Sequence, residues 1–424
     1  MMVVEAADNL RFAENGLAES ELVHRLGELR KNDFVWNDPH NMKAAYYAGD
    51  DVFRIARETY AAFHGDNLLY QKLLYPSLAQ MSAGVVAMAL ELLRAPSGAG
   101  GTITSGGTES IILAVKAARG WARSERPTKS VPEIVVGYTC HPAFNKAADL
   151  MGLKVVRLPP TSSFQVDVET MRKHITENTI MIVGSAPAYP VGCIDPITQL
   201  AELAQAYNLW LHVDACVGGF FLPFAREIED IPAFDFSVKG VRSMSVDLHK
   251  YGYTSRGASL VLLSDKQHEQ YHRFVVEDWP TGQFGTPTIS GSRPGGAVAS
   301  AWAVMNYMGR AGYRQRTQKI IEARRAIIGA VAQMDEVCLL GEPHAGIVGI
   351  GAAKGIDMRA VRQGLMDRGW RFASLAKPVV GINILLNYTH GEHVEAFITD
   401  LRNAIDDVKT GNSPKTFTED YYGG

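Results

Sequence analysis

Between about residue 80 and residue 265, short apolar runs alternate with stretches of helical period. Glu133–Tyr138, Lys154–Leu158, Ile180–Gly184, Leu209–Asp214, Met244–Leu248 and Ser259–Leu263 read as strands. Several are apolar at almost every position, as expected of strands covered on both faces. Asp195-Pro196 signals a helix start, with Asp as cap and Pro in the first turn, and Leu200, Leu203 and Ala204 then form one apolar stripe. Strand, helix and strand in this rhythm predict βαβ units and a mainly parallel, buried sheet. Residues 1–60 are mixed and polar, with Phe34, Trp36, Tyr46 and Tyr47, and read as an arm. Thr281–Gly296 is rich in Gly, Pro and Ser and reads as a long functional loop or crossover. A long helical region over Ala297–Gln333 follows, and Ile347–Thr410 reads strand, helix, strand, helix. The expected organisation is an arm over 1–60, a large domain over 61–300 and a small α/β domain over 301–424.

Composition narrows the function classes. Of 424 residues, 46% are hydrophobic and 21% charged, which excludes a disordered chain. A net charge of −3 offers no general attraction for nucleic acid. The longest apolar candidate, Met81–Leu93, is interrupted by Ser82, Gly84 and Glu91 and falls short of the roughly 20 residues a spanning helix needs. The start, Met-Met-Val-Val-Glu with Asp8, Arg11 and Glu14 soon after, lacks the pattern of a secretory signal. Cys140, Cys193, Cys216 and Cys338 are widely spaced, so neither a disulfide framework nor a metal site is expected, and the cytoplasm is the expected compartment.

Four local patterns carry chemistry. In Ser245-Val-Asp-Leu-His249-Lys250-Tyr251-Gly252 a strand delivers a lysine into a Gly-containing turn. A desolvated lysine there would have a lowered pKa and could form a Schiff base with a carbonyl. In Leu211-His212-Val213-Asp214 a strand ends in a carboxylate at the sheet edge where α/β proteins bind ligands, suited to keeping a ring nitrogen protonated. Thr104-Ser105-Gly106-Gly107-Thr108 runs into a helix N-terminus, a place for phosphate. It matches neither a Walker loop nor the dinucleotide fingerprint. His141 follows the strand Glu133–Tyr138 and could stack on a flat ring. Taken singly, each has a plainer reading: a surface lysine, a helix cap, a tight helix start, a loop histidine. Together they are the parts that pyridoxal 5′-phosphate (PLP) requires.

The same stretches resemble the PLP-dependent sphingosine-1-phosphate lyases, soluble bacterial type, within the group II decarboxylase superfamily. The resemblance rests on Ile103–Ile111, His141–Ala148, Gly184–Pro187, His212–Phe220, Phe234–Gly240, Ser243–Gly257 and Pro287–Gly296, and covers roughly Tyr46 to Asp406. It implies an aminotransferase-like α/β fold of type I, with a large domain around a mainly parallel seven-stranded sheet and a small C-terminal α/β domain. It implies that Lys250 holds the cofactor covalently, Asp214 binds the ring nitrogen and His141 stacks on the ring. Gly107, Thr108 and His249 would hold the cofactor phosphate, with Ser185 and Ser292 also in contact. The loop around Ser292 would reach the site of a second subunit, giving a homodimer with shared active sites. The implied reaction is aldehyde-lyase cleavage of a phosphorylated, lipid-derived 2-amino-3-hydroxy base, with Tyr47, Tyr70, His249 and Lys250 as candidate bases. Two positions depart from the family: Tyr70 stands where a substrate-phosphate histidine is usual, and Arg256 replaces the lysine six residues after Lys250. Arg256, Tyr70 and Tyr47 are the expected substrate-phosphate ligands. An amino-acid α-decarboxylase is the alternative on the same scaffold, and a PLP-binding protein without turnover a third reading.

Other signals are set aside. His390-Gly-Glu-His393 lacks metal-ligand spacing and reads as a solvated helix start. Asn387-Tyr-Thr389 is a sequon that a cytoplasmic chain would not use. Arg310, Arg314, Arg316, Lys319, Arg324 and Arg325 read as a solvated face, the sharper alternative being weak contact with an anionic membrane.

Overall fold

The computed structural model describes residues 12–43, 45–414 and 416–417. The start of the expected arm, residues 1–11 with Asp8 and Arg11, lies outside the described residues, as do Ala44, Lys415 and 418–424. The chain divides into two units, before and after Asp38. In the first, helix α1 (Glu19–Arg30) buries none of its residues.

The second unit is built around a seven-stranded sheet. Its strands are β1 (Gly100–Thr104), β2 (Glu133–Val136), β3 (Lys154–Arg157), β4 (Thr179–Ser185), β5 (Trp210–Asp214), β6 (Val241–Asp247) and β7 (Ser259–Leu263). They are ordered β1-β7-β6-β5-β4-β2-β3. β2, β4, β5 and β7 are buried along their whole length, which explains their near-continuous apolar runs, whereas the edge strand β3 is partly exposed. The pairs from β3 through β6 are parallel, but β7 runs antiparallel to both β6 and β1. The connection 248–258 is too short for a crossover helix, so the chain must turn back at Lys250.

Helices α2 (Asp50–Ala62), α3 (Pro76–Leu92), α4 (Gly107–Glu125), α5 (Ala143–Met151), α6 (Val168–His174), α7 (Ile197–Ala206) and α8 (Leu222–Ala225) surround this sheet or lead into it. The stretch expected to be loop contains part of a hairpin, β8 (Phe274–Val276) with β9 (Phe284–Thr286), before an irregular segment reaches α9 (Gly296–Val331). α9 is interrupted at Gly309, whose φ of 52° suits glycine. A four-stranded antiparallel sheet follows, from β10 (Val337–Leu339), β11 (Ile347–Ala352), β12 (Ala373–Leu375) and β13 (Gly381–Leu385), with α10 (Met358–Asp367) and α11 (Val394–Lys409). No helix among the described residues is long and apolar enough to cross a membrane.

Two expectations about polar residues need correction. Arg324 and Arg316 are not part of a solvated face. Arg324 is buried, with Nη2 2.6 Å from Glu229 Oε2 and Nη1 donating to the Ala345 carbonyl. Arg316 lies 5.0 Å above the Tyr388 ring and pairs with Asp51. Only Arg310, Arg314, Lys319 and Arg325 keep largely exposed side chains. His390 does stand at a helix start, but it is buried. Its Nδ1 accepts from the Asn387 amide at 2.9 Å, closing a capping box on the 3₁₀ turn Tyr388–Glu392.

Burial depresses the imidazoles of His390 to about 3, and of His212 and His272 to about 4. The folded state therefore binds fewer protons than the unfolded state as pH falls from about 6.5 toward 4, so stability declines across that window. Each histidine can contribute about 3 kcal/mol to this loss. Asp195, pushed up to about 6 by burial, opposes it. The denaturation midpoint should fall clearly between pH 6.5 and 4, and a flat profile there contradicts the buried, neutral histidines.

Candidate active site

Several segments leaving the large sheet converge on one cavity of about 620 Å³. The turn after β1 brings Ser105 to Thr108, and the segment after β2 brings Thr139 and His141. β4 ends in Ser185 and β5 in Asp214, while β6 and its turn supply Asp247, His249, Lys250 and Arg256. Open α/β sheets bind ligands at this edge.

The N-terminus of α4 has no side-chain cap, so its first amides remain available to an anion. A Cβ at Gly107 would lie 2.8 Å from both Asp247 carboxylate oxygens and 3.0 Å from Cys216 Sγ, so only glycine fits this cradle. Glu109 braces it. One carboxylate oxygen accepts from the Ser105 amide at 2.6 Å and its hydroxyl at 2.7 Å, and the other from the Ile289 amide at 2.7 Å.

Lys250 Nζ lies 3.0 Å from Asp247 Oδ2. Burial alone would lower the lysine pKa, but Asp247, with Tyr46, Cys216 and Asp214, holds it well above the ordinary value. The expected lowered pKa is thus overturned by a carboxylate three residues earlier, at the end of β6. Asp247 has its own pKa lowered: burial works against ionisation, and the charges of Lys250 and His249 outweigh it. His249 donates from Nδ1 to the Ala258 carbonyl at 2.8 Å, and burial depresses its pKa despite Asp247.

His141 Nδ1 accepts from the Ala143 amide at 3.1 Å. Burial lowers its pKa, partly opposed by Asp214. The loop carrying it is fixed by Arg157 at the end of β3. Arg157 Nη1 lies 2.9, 2.9 and 2.8 Å from the carbonyls of Gly137, Tyr138 and Cys140, and Nη2 bonds Asn145. Asp214 is 8% exposed, and its Oδ1 accepts from the Cys216 amide at 3.1 Å and the Ser245 hydroxyl at 3.2 Å. The Ser185 amide donates to Asp195 Oδ2 at 2.7 Å.

The structure therefore brings together Gly107, Thr108, His141, Ser185, Asp214, His249, Lys250 and Arg256. It does not bring Tyr47, Tyr70 or Ser292 to the cavity of their own chain. Tyr47 is buried, with its hydroxyl donating to Asp50. Tyr70 is 46% exposed in the 3₁₀ turn Leu68–Tyr70, and Ser292 Oγ accepts from Asn67 at 3.0 Å. Sequence reasoning missed Asp247, Cys216, Thr139 and Tyr189 on the cavity wall. For Asp247 a signal existed: Ser243, Ser245 and Asp247 alternate with apolar Met244, Val246 and Leu248, which places three polar groups on one strand face.

These residues fit PLP. The glycine cradle and open helix amides suit a phosphate, Lys250 a carbonyl, His141 a flat ring and Asp214 a protonated ring nitrogen. Among the described residues no cluster could hold a metal ion.

Residues 29–350 match the pyridoxal-dependent decarboxylase conserved domain. The sphingosine-1-phosphate lyase of Arabidopsis thaliana is 38% identical over 93% of this chain and 74% of that protein. The structure of a sphingosine-1-phosphate lyase from Burkholderia pseudomallei superposes with a TM-score of 0.90 at 33% identity, covering 96% of this chain and 95% of that one. Glutamate decarboxylase from Lactobacillus brevis shares the fold, with a TM-score of 0.81 at 22% identity over 94% of this chain and 95% of that one.

Proposed function

The chain belongs to the sphingosine-1-phosphate lyase family, within the pyridoxal-dependent decarboxylases, and from that premise we propose that it cleaves the C2–C3 bond of a phosphorylated long-chain 2-amino-3-hydroxy base. The products are a long-chain aldehyde and phosphoethanolamine. The observation that carries this reading is one cavity that gathers Lys250, Asp214, His141 and the Gly107–Thr108 amides in a chain with these relatives.

Bound in this cavity, PLP supplies an electron sink for the pair released when the carbon–carbon bond breaks. The protein does the rest. Lys250 anchors the cofactor covalently. Gly107 and Thr108 offer helix N-terminal amides to its phosphate, with His249 beside them. Asp214 holds the ring nitrogen protonated, neutral His141 covers the ring, and Ser185 adds a polar contact. The C3 hydroxyl proton must leave as the aldehyde forms, and a proton must return to C2. Of the candidate bases Tyr47, Tyr70, His249 and Lys250, the last two border the cavity of their own chain. Tyr47, Tyr70 and Ser292 would serve the cavity of a second copy in a homodimer, which accounts for their distance from their own. The deciding experiment is a mass-spectrometric product screen with the purified holoenzyme. Aldehyde with phosphoethanolamine from a phosphorylated sphingoid base supports the reading, and CO₂ from an amino acid in their place overturns it.

Arg256 is proposed to grip the substrate phosphate, with Tyr70 and Tyr47 of a second copy adding hydroxyls. It borders the cavity six residues after Lys250, and a guanidinium offers paired donors to phosphate oxygens. Losing a hydrogen bond to a charged group costs about 1.5–3 kcal/mol. Arg256→Ala should accordingly raise KM for the phosphorylated substrate roughly ten- to a hundredfold while leaving PLP binding nearly intact. An equal penalty on the dephosphorylated analogue would remove the phosphate role.

A further inference from the structure

The carboxylate at the end of β5 is the last member of a buried chain of hydrogen bonds. In the β5–β6 register His212 pairs with Ser243 and Asp214 with Ser245. Trp210 Nε1 donates to Ser243 Oγ at 2.7 Å, and Ser243 Oγ lies 2.8 Å from His212 Nδ1. His212 Nε2 lies 3.1 Å from Ser245 Oγ, which donates to Asp214 Oδ1 at 3.2 Å. Trp210, His212, Ser243 and Ser245 are all fully buried, and Phe144 packs edge-on against the imidazole.

Donor and acceptor chemistry fixes the direction. The indole N–H can only donate, and a carboxylate can only accept. Ser243 receives the indole hydrogen, so its own hydrogen is available to His212 Nδ1. Ser245 has one hydrogen. If Nδ1 carried the imidazole proton, Nε2 and Asp214 Oδ1 would both need that hydrogen. If both ring nitrogens were protonated, Ser243 would accept two bonds and its own hydroxyl hydrogen would have no acceptor within the chain of hydrogen bonds. For a neutral imidazole one arrangement satisfies every bond, with the proton on Nε2. Burial, which depresses the imidazole to about 4, keeps it neutral as this arrangement requires.

We infer that Trp210, Ser243, His212 and Ser245 form a one-way hydrogen-bond relay that saturates Oδ1 of Asp214 and leaves Oδ2 to the cofactor. Oδ1 is met by the Ser245 hydroxyl and the Cys216 amide, and Asp214 lines the cavity. Saturating one oxygen stops the carboxylate from rotating, so a single lone-pair direction is held toward the ring nitrogen. His212 and Ser245 are therefore positioning residues. The inference rests on the reading that Asp214 binds that nitrogen.

Its first test uses the wild-type holoenzyme with histidine-selective ¹⁵N labelling, assigning His212 by its loss in His212→Gln. Long-range proton–nitrogen spectra at pH 7 should show the proton on Nε2 alone. A proton on Nδ1, or on both nitrogens, overturns the relay. The second test compares Ser245→Ala with Ser245→Thr, which keeps the hydroxyl. Ser245→Ala should lower kcat about tenfold with KM little changed, and should shift the pH at which the bound cofactor's visible absorption changes. Ser245→Thr should recover most of both. Wild-type kcat and absorption in Ser245→Ala overturn the positioning role even where the tautomer is as expected. Asp214→Asn alone separates the underlying reading: if it leaves absorption and turnover unchanged, Asp214 does not serve the ring and the relay loses its purpose, whatever the tautomer.

Discussion

Lys250→Ala should reduce turnover by at least about a thousandfold, the scale seen when an enzyme loses its covalent nucleophile. Borohydride reduction of the wild-type holoenzyme followed by peptide mapping should place the pyridoxyl group on Lys250, and the variant should take up no such label. The structure adds a consequence for stability. Asp247 is 3% exposed and pairs with Lys250 at 3.0 Å. Removing the ammonium leaves a buried carboxylate without its cation, a loss of about 3 kcal/mol when one partner of a buried pair is deleted. Compared without cofactor, the variant should therefore unfold earlier in denaturant than the wild type, and adding Asp247→Asn to it should restore much of the difference. The raised lysine pKa and the lowered aspartate pKa make the pair's contribution present between the two unfolded values, about 4 and 10.4, and lost only outside them. A label on another lysine removes the assignment. A Lys250→Ala protein as stable as wild type shows that the pair contributes little.

The parts of this site differ in how visible they are in the sequence. β4 and β5 announce themselves, because strands covered on both faces must be apolar throughout. β1 does not, because Gly100 and Gly101 lack the apolar or β-branched side chains that mark a strand. The fold needs them small: a Cβ on Gly101 would lie 2.5 Å from Leu262. Lys250, Asp214, His141 and the Gly107 turn were legible because each sits at a strand end or helix start, where local pattern and sheet topology coincide. The charge state of Lys250 was not. It depends on Asp247 turning its carboxylate to the same side, which residue spacing alone does not reveal. Arg324 was misread for a related reason, since its partner Glu229 is 95 residues away and helical period cannot tell which side of α9 is covered. His390 looked solvated because it is polar, yet its ring accepts the bond that caps the following turn. Tyr47, Tyr70 and Ser292 were suggested only by family resemblance. Their own chain gives them neighbours outside the cavity, so no local pattern could have marked them.

Asp214→Asn should separate chemistry from folding more cleanly than any change at Lys250. On the proposed reading the carboxylate has two functions on different atoms. Oδ1 accepts from the Cys216 amide and the Ser245 hydroxyl, an arrangement that closes the turn after β5. An asparagine carbonyl can accept the same two bonds, so the fold should survive with a loss of about 1 kcal/mol or less. The second function is electrostatic. A carboxylate beside the ring nitrogen stabilises a positive charge there, and that charge is what makes the ring an electron sink. An amide carries no compensating charge, and its NH₂ would meet a protonated ring nitrogen donor to donor. Deleting one charge of a buried pair costs about 3–5 kcal/mol, which corresponds to a fall in kcat of a few hundredfold or more. Lys250 should still take up the cofactor, because its attachment does not involve Asp214, but the visible absorption should shift. The measurement is kcat and the absorption spectrum of Asp214→Asn beside its denaturation midpoint. A well-folded variant with near-normal turnover would reduce Asp214 to the residue that closes the turn at Cys216, and the electron sink would need another source.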